Sequence, residues 1–185
     1  MMLDNDIERV IYSRDQIQQR VKELGKQLTH DYAGNKNLVV VDVLTGASLF
    51  TIDLLEHMDV YCRMDFVDVS SYKGGTSSTG TVTLLHDLKN DIKGKDVLIC
   101  EDIVDTGRTL KFLMDLLDGR GANSIKVCTM LDKPSGRLVD AKADYVGFNV
   151  PNEFLVGYGL DYDGYYRNLP YVGVLKPEVY EHHND

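Results

Sequence analysis

A chain of 185 residues, 43% of them hydrophobic, carries enough apolar material for one domain with a sizeable core and at most a small appended subdomain. Its 20 lysines and arginines against 29 aspartates and glutamates leave a net charge of −9, which argues against general nucleic-acid binding, although a local site can still be positive toward a small anion. No run of about 18 apolar residues is present and the opening MMLDNDIERVIY lacks the basic and apolar regions of a signal peptide, so a soluble, cytoplasmic protein without a membrane partner is expected.

Taken in chain order, Ser13 and Gln16 have the spacing of a capping box, and Ile17, Val21, Leu24 and Leu28 recur at helical spacing, predicting a helix through Thr29. Residues 38–44, LVVVDVL, read as a buried strand interrupted by Asp42. Residues 47–58 follow as a helix, and residues 61–72 begin as an alternating strand. KGGTSSTG, residues 73–80, is glycine and hydroxyl residues without periodicity, the composition of a mobile loop. A strand returns over residues 81–85 and a turn over residues 90–95. Residues 97–100, VLIC, are again apolar and largely β-branched, as a strand covered on both faces requires. Residues 109–117 read as a helix, residues 124–131 as a strand broken by Asp132-Lys133-Pro134, and short strands rich in glycine and proline run from Tyr145 to Leu175. Strands alternating with helices predict an α/β domain, residues 1–185, around a mostly parallel central sheet flanked by helices. Cys62, Cys100 and Cys128 are odd in number, widely spaced and set in apolar runs, which suits reduced core thiols better than disulfides or a metal site.

Chemistry concentrates in VLICEDIVDTGRTL, residues 97–110. Glu101 and Asp102 follow the apolar run at once and can hold a divalent metal or accept hydrogen bonds from sugar hydroxyls. Asp105, Thr106, Gly107, Arg108 and Thr109 then lead into a helix, whose N-terminal amide groups and dipole collect an anion. The spacing of a Walker loop is absent. Open α/β sheets bind ligands at the carboxyl ends of their strands, which draws attention to three further turns: Thr45-Gly46, Ser71-Tyr72 and Lys133.

The segment resembles the phosphoribosyl-pyrophosphate motif of type I phosphoribosyltransferases, and EDIVDTGRT is similar to the hypoxanthine-guanine branch. The resemblance runs from about Ile7 to Leu175, with its motifs in the family's order. It implies the type I phosphoribosyltransferase fold, with a small hood built mainly from the C-terminal segment and N-terminal residues and with a flexible lid loop. It implies transfer of phosphoribosyl from phosphoribosyl pyrophosphate to hypoxanthine or guanine, giving IMP or GMP and pyrophosphate, with Mg²⁺ as cofactor and a homodimer or homotetramer as the assembly. By resemblance Asp105 is the general base, and Thr106, Gly107, Arg108 and Thr109 hold the 5′-phosphate. Glu101 and Asp102 orient the ribose and a metal ion, and Asp161 holds a second. Thr45 and Gly46 grip pyrophosphate together with Arg167, while Ser71 and Tyr72 belong to the lid. Lys133 donates to the purine 6-oxo group, Phe154 stacks on the base, and Leu155 offers backbone groups to its edge.

Two positions depart from the family's pattern. Lysine is usual where Thr45 stands, and an uncharged residue is expected where Asp42 stands. One reading makes Asp42 solvent-facing and Thr45 a neutral variation. The other makes the chain an impaired or merely nucleotide-binding relative on the same fold.

Overall fold

The computed structural model of the chain describes residues 2–71 and 82–181. A 3₁₀ turn at Met2–Asp6 leads into strand β1 (Ile7–Tyr12). Helix α1 (Arg14–Asp31) starts at the capping box the spacing predicts: the Gln16 amide donates to the Ser13 hydroxyl and the Ser13 amide to the Gln16 side chain. Its stripe of Ile17, Val21, Leu24 and Leu28 is wholly buried, and the helix runs two residues beyond the expected Thr29.

The remaining elements follow as β2 (Leu38–Leu44), α2 (Ser48–Glu56), β3 (Cys62–Ser71), β4 (Val82–His86), β5 (Asp96–Val104), α3 (Arg108–Asp118) and β6 (Ser124–Asp132). Then come β7 (Tyr145–Asn149), β8 (Leu155–Val156), β9 (Val172–Leu175) and the short helix α4 (Pro177–Tyr180). The main sheet has the order β4-β3-β2-β5-β6-β7. All of its pairings are parallel except that of β4 with β3. The chain steps from β2 to β3 on one side and then crosses to β5 on the other. That reversal opens a crevice at the carboxyl ends of β2 and β5, where doubly wound sheets take their ligands.

Side-chain alternation divides the core between the two faces of this sheet. Leu38, Val40, Leu98, Cys100, Cys128 and Met130 pack with Phe50 and Leu54 of α2 and the buried stripe of α1. Val39, Val41, Val43, Val97, Ile99 and Val127 pack with Leu110, Leu113 and Leu117 of α3. Cys62, Cys100 and Cys128 are free thiols, as expected.

A second, antiparallel sheet has the order β1-β9-β8. Leu155, Val172 and Val174 from it join the same core as α1 and α2, so the two sheets share apolar contacts. Tyr12 of β1 also stacks on Phe148 of β7, with ring centroids 3.9 Å apart.

Three expectations are corrected. The strand expected to end at Cys100 continues to Val104, because its ladder with β6 persists through Glu101↔Thr129, Ile103↔Leu131 and Val104↔Asp132. The acidic pair therefore belongs to the strand and not to the loop beyond it. Helix α2 is shorter at both ends than residues 47–58. Asp42 does not face solvent but is fully buried. The loop of residues 73–80 and Tyr72 lie outside the described residues. Among the described residues no helix is long and apolar enough to cross a membrane.

Candidate active site

Because successive side chains on a strand point to opposite faces, Glu101 and Asp102 serve two different chambers. Glu101 lines a cavity of about 270 Å³ with Asp105, Thr106, Gly107 and Thr109, beneath the N-terminus of α3. Its Oε2 is buried and has no hydrogen-bond partner. Burial, together with the nearby Asp102 carboxylate, pushes the Glu101 carboxyl well above its ordinary range. An orphaned carboxylate oxygen at this depth is costly unless a cation or donor meets it.

Asp102 points the other way, toward the turn of residues 44–47. A Cβ placed on Gly46 would fall 1.7 Å from Asp102 Oδ2 and 3.5 Å from an Arg167 guanidinium nitrogen. Only glycine lets the two approach the turn so closely. Burial pushes the Asp102 carboxyl up to about 6, against the opposing pull of the Ile103 amide and Arg167. The Leu44–Thr45 peptide is cis, Thr45 is exposed and Gly46 is buried.

Arg167 reaches this chamber from the turn-rich segment between β8 and β9. One guanidinium nitrogen donates to the Gly159 carbonyl at 2.6 Å, and another pairs with Asp161 Oδ1 at 2.8 Å. Asp161 is also held by the Gly164 amide at 2.8 Å. Asp161 is close enough to Asp102 to oppose its ionisation. Still, Glu101, Asp102 and Asp161 form no cluster of three metal-ligating side chains among the described residues.

The turn after β5 has the build of an anion cradle. Gly107 is left-handed (φ +81°) at the N-cap of α3 and supplies no side-chain cap; the Arg108 amide donates to the Thr106 hydroxyl at 3.4 Å, and the amides that follow in the first turn face the cradle's side of the helix N-terminus. The Thr106 carbonyl accepts from the Leu138 amide at 2.9 Å, which ties the turn to the segment after β6. Arg137 donates to the Asp105 carbonyl at 3.0 Å and pairs with Asp132. Arg137 braces the turn from 32 positions away in sequence, a link that no local motif encodes.

Lys133 ends β6 and is brought to the same place: its ammonium donates to Asp105 Oδ2 at 3.3 Å and to the Glu153 carbonyl at 3.4 Å. Only 12% of its side chain is exposed, so it is not an ordinary solvated lysine. Lys133 also lines a cavity of about 410 Å³ with Glu153, Phe154 and Tyr180. The Phe154 ring stacks on Tyr180 (centroids 4.8 Å, planes at 18°) and meets Tyr162 edge-on at 5.5 Å. Leu155 is buried and pairs with Val174 across β8 and β9. Ser71 closes β3 opposite Val82, and Tyr72 lies outside the described residues.

The arrangement therefore joins an anion cradle, a carboxylate beside an ammonium, a flat aromatic cavity, and a second chamber where an arginine faces a glycine turn. Glu101 in the floor of the cradle, with an unsatisfied oxygen, and Asp102 beside the glycine turn each offer hard oxygen donors of the kind Mg²⁺ takes.

Comparison with known proteins agrees with this reading. The family description "Phosphoribosyl transferase domain" matches residues 11–163. A hypoxanthine-guanine phosphoribosyltransferase of Streptococcus agalactiae is 57% identical over 179 residues, covering 97% of this chain and 99% of that protein. A bifunctional protein TilS/HprT of Listeria monocytogenes is 56% identical over 178 residues, and there the chain spans only 27% of the relative's length. A crystal structure of a hypoxanthine phosphoribosyltransferase from Staphylococcus aureus superposes with a TM-score of 0.93 at 52% identity, covering 97% of each chain.

Proposed function

The chain belongs to the phosphoribosyltransferase family, and from that premise we propose that it salvages purines, joining hypoxanthine or guanine to phosphoribosyl pyrophosphate to give IMP or GMP and pyrophosphate. The observation that carries the assignment is the convergence of Asp105 and Lys133 between the cradle of residues 105–109 and the cavity beside Phe154. On this reading one site takes the phosphate, the ribose and the flat base.

The chemistry follows from charge. As the bond from the anomeric carbon to pyrophosphate breaks, positive charge develops on the ribose. The purine nitrogen attacks from the opposite face, so the configuration inverts. Asp105 takes the proton leaving the imidazole ring of the base, which raises the nucleophilicity of the attacking nitrogen. Lys133 donates to the 6-oxo group, selecting 6-oxopurines over adenine, whose amino group is itself a donor. Phe154 stacks on the base, and Leu155 lies at its edge. The residues Thr106, Gly107, Arg108 and Thr109 hold the 5′-phosphate. Glu101 and Asp102 orient the ribose hydroxyls, and Arg167 with Thr45 and Gly46 holds the pyrophosphate end. Exclusion of water from the reacting centre is the role the family resemblance implies for Ser71 and Tyr72. Mg²⁺ held by Glu101 or Asp102, with a second ion at Asp161, would neutralise pyrophosphate charge. A cytoplasmic homodimer or homotetramer is the setting proposed for this reaction.

The reading of an impaired or merely binding relative is not favoured. A binder of nucleotides has little use for a part-buried lysine placed against the proton-accepting carboxylate, and proteins 55–57% identical over nearly the whole chain carry the transferase name. The test is formation of IMP and GMP from phosphoribosyl pyrophosphate with and without Mg²⁺, for the chain and for Thr45→Lys. Turnover in the unaltered chain supports the proposal, and turnover confined to Thr45→Lys would reinstate the impaired relative.

A further inference from the structure

Asp42 has no part in the reaction as described above, yet its side chain is the centre of a set of buried contacts that extends through Thr51 to the Cys100 thiol. It lies in β2, two residues before the strand meets the turn of residues 44–47, and it is fully buried. The Ser48 hydroxyl donates to Asp42 Oδ2 at 2.9 Å. Thr51 Oγ1 lies 3.0 Å from Asp42 Oδ1 and also 3.0 Å from the Ala47 carbonyl oxygen. Ser48 and Thr51 both belong to the first turn of α2, the helix that the turn enters. The turn is thus spanned by one side chain that links the strand before it to the helix after it.

Proton counting leaves two forms of this link. Two hydroxyls bring two protons to three contacts: either Thr51 shares its proton between Asp42 Oδ1 and the Ala47 carbonyl, or a neutral Asp42 donates to Thr51 Oγ1 while the Thr51 proton goes to the Ala47 carbonyl, and Ser48 donates to Oδ2 in both forms. Burial favours the neutral form, against the pull of the two hydroxyls. A neutral acid also adds no negative charge beside a site that must accept a polyanion.

Movement of this turn would not stay local. A Cβ on Gly159 would fall 2.0 Å from the Gly46 carbonyl oxygen, so the two backbones are in close contact. Gly159 in turn offers the carbonyl that anchors Arg167. On its other side Gly46 abuts Asp102. Helix α2 receives no side-chain cap from its own N-cap, Ala47, and Asp42 ties the strand to the helix through the Ser48 and Thr51 hydroxyls of its first turn.

We propose that Asp42 is a positioning residue: its carboxyl clasps β2 to the first turn of α2 and sets the geometry of residues 44–47 toward the pyrophosphate end of the substrate. The link to pyrophosphate rests on the function proposed above, whereas the clasp itself does not. The site is distinctive in that asparagine reproduces the neutral acid, accepting from Ser48 and donating to Thr51, while valine fits the strand and removes the clasp.

The test compares Asp42→Asn and Asp42→Val by steady-state kinetics and by amide hydrogen exchange over residues 45–48. For Asp42→Val the expected result is a rise of about tenfold in KM for phosphoribosyl pyrophosphate, the scale of one lost hydrogen bond, with KM for hypoxanthine within about twofold. Exchange at the turn should rise as well. Asp42→Asn should match the unaltered chain in every readout. The double variant Ser48→Ala with Thr51→Val removes the same clasp from the helix side and should reproduce the selective loss, even if Asp42→Val does not fold. Equal loss for both substrates, unchanged exchange in Asp42→Val, or an Asp42→Asn variant as impaired as Asp42→Val would overturn the proposal. Faster exchange in a chain already inert toward phosphoribosyl pyrophosphate would uphold the clasp and refute the proposed function.

Discussion

In Gly136→Ala the added methyl carbon would lie 1.8 Å from Asp105 Oδ1 and 3.1 Å from Asp105 Cγ, while the nearest backbone atom stays 3.7 Å away. The clash is with the free end of a side chain that is 44% exposed, so the carboxylate yields and the chain does not. Gly136 has no positive φ, and alanine can adopt its backbone. Restoring an ordinary contact of 3.4 Å requires Oδ1 to move by about 1.6 Å, the difference between 3.4 and 1.8 Å. A shift of that size removes Asp105 from Lys133 and from the base. Misplacement by about 1 Å costs on the order of 10²-fold, and general-base catalysis as a whole is worth roughly 10²–10⁴-fold. The expected result is a kcat lower by about 10²-fold, KM for phosphoribosyl pyrophosphate within about twofold, and stability within about 0.5 kcal/mol. Initial rates of IMP formation and a urea titration measure all three. Asp105→Asn should lose at least as much turnover, and combining the two should add little, because both remove the same base. Full turnover in Gly136→Ala, or a loss explained by unfolding, would refute the reasoning.

Lys133→Met should lower the preference for hypoxanthine over adenine by about 10- to 100-fold, measured as the ratio of kcat/KM for the two bases, since the donor to the 6-oxo group is gone. Tyr180→Ala removes the ring stacked on Phe154 and should raise KM for the base by about two- to tenfold, the worth of an aromatic pair, with KM for phosphoribosyl pyrophosphate unchanged. Asp65 is buried, which works to raise its pKa, but hydrogen bonds from the Asn90 amide and side chain and from the Phe66 and Lys89 amides outweigh that and hold it below the ordinary range. A depressed folded-state pKa adds stability above the unfolded value of about 3.9 and loses it as pH falls through the lower folded value. Asp65→Ala should therefore destabilise by about 2–3 kcal/mol at pH 7, with the difference narrowing below pH ~3 in urea titrations.

How much of this was legible depended on whether the signal was local. The capping box at Ser13 and Gln16, the buried run of β2 and the glycine turn into α3 each lie within a few residues, and each appears in the structure as read. Apolar patterning stops at Cys100, whereas pairing with β6 carries the strand through Glu101 and Asp102 to Val104. Backbone hydrogen bonds do not depend on side-chain polarity, so periodicity could not reveal it. Gly136 and Arg137 act on Asp105 across 31 and 32 positions, and no spacing rule connects them. The burial of Asp42 follows from its place facing α2, where Thr51 and Ser48 compensate for its polarity. A hydroxyl three residues into a helix carries no such message by itself.

The central claim is that one site holds phosphate, ribose and base across residues 101–109, Lys133 and Phe154. A crystal structure with GMP bound tests it most directly. The account predicts the 5′-phosphate on the amides of residues 106–109, the ribose hydroxyls at Glu101 and Asp102, the 6-oxo group on Lys133 and the ring against Phe154. A nucleotide bound elsewhere, or one whose base does not approach Lys133, would contradict it.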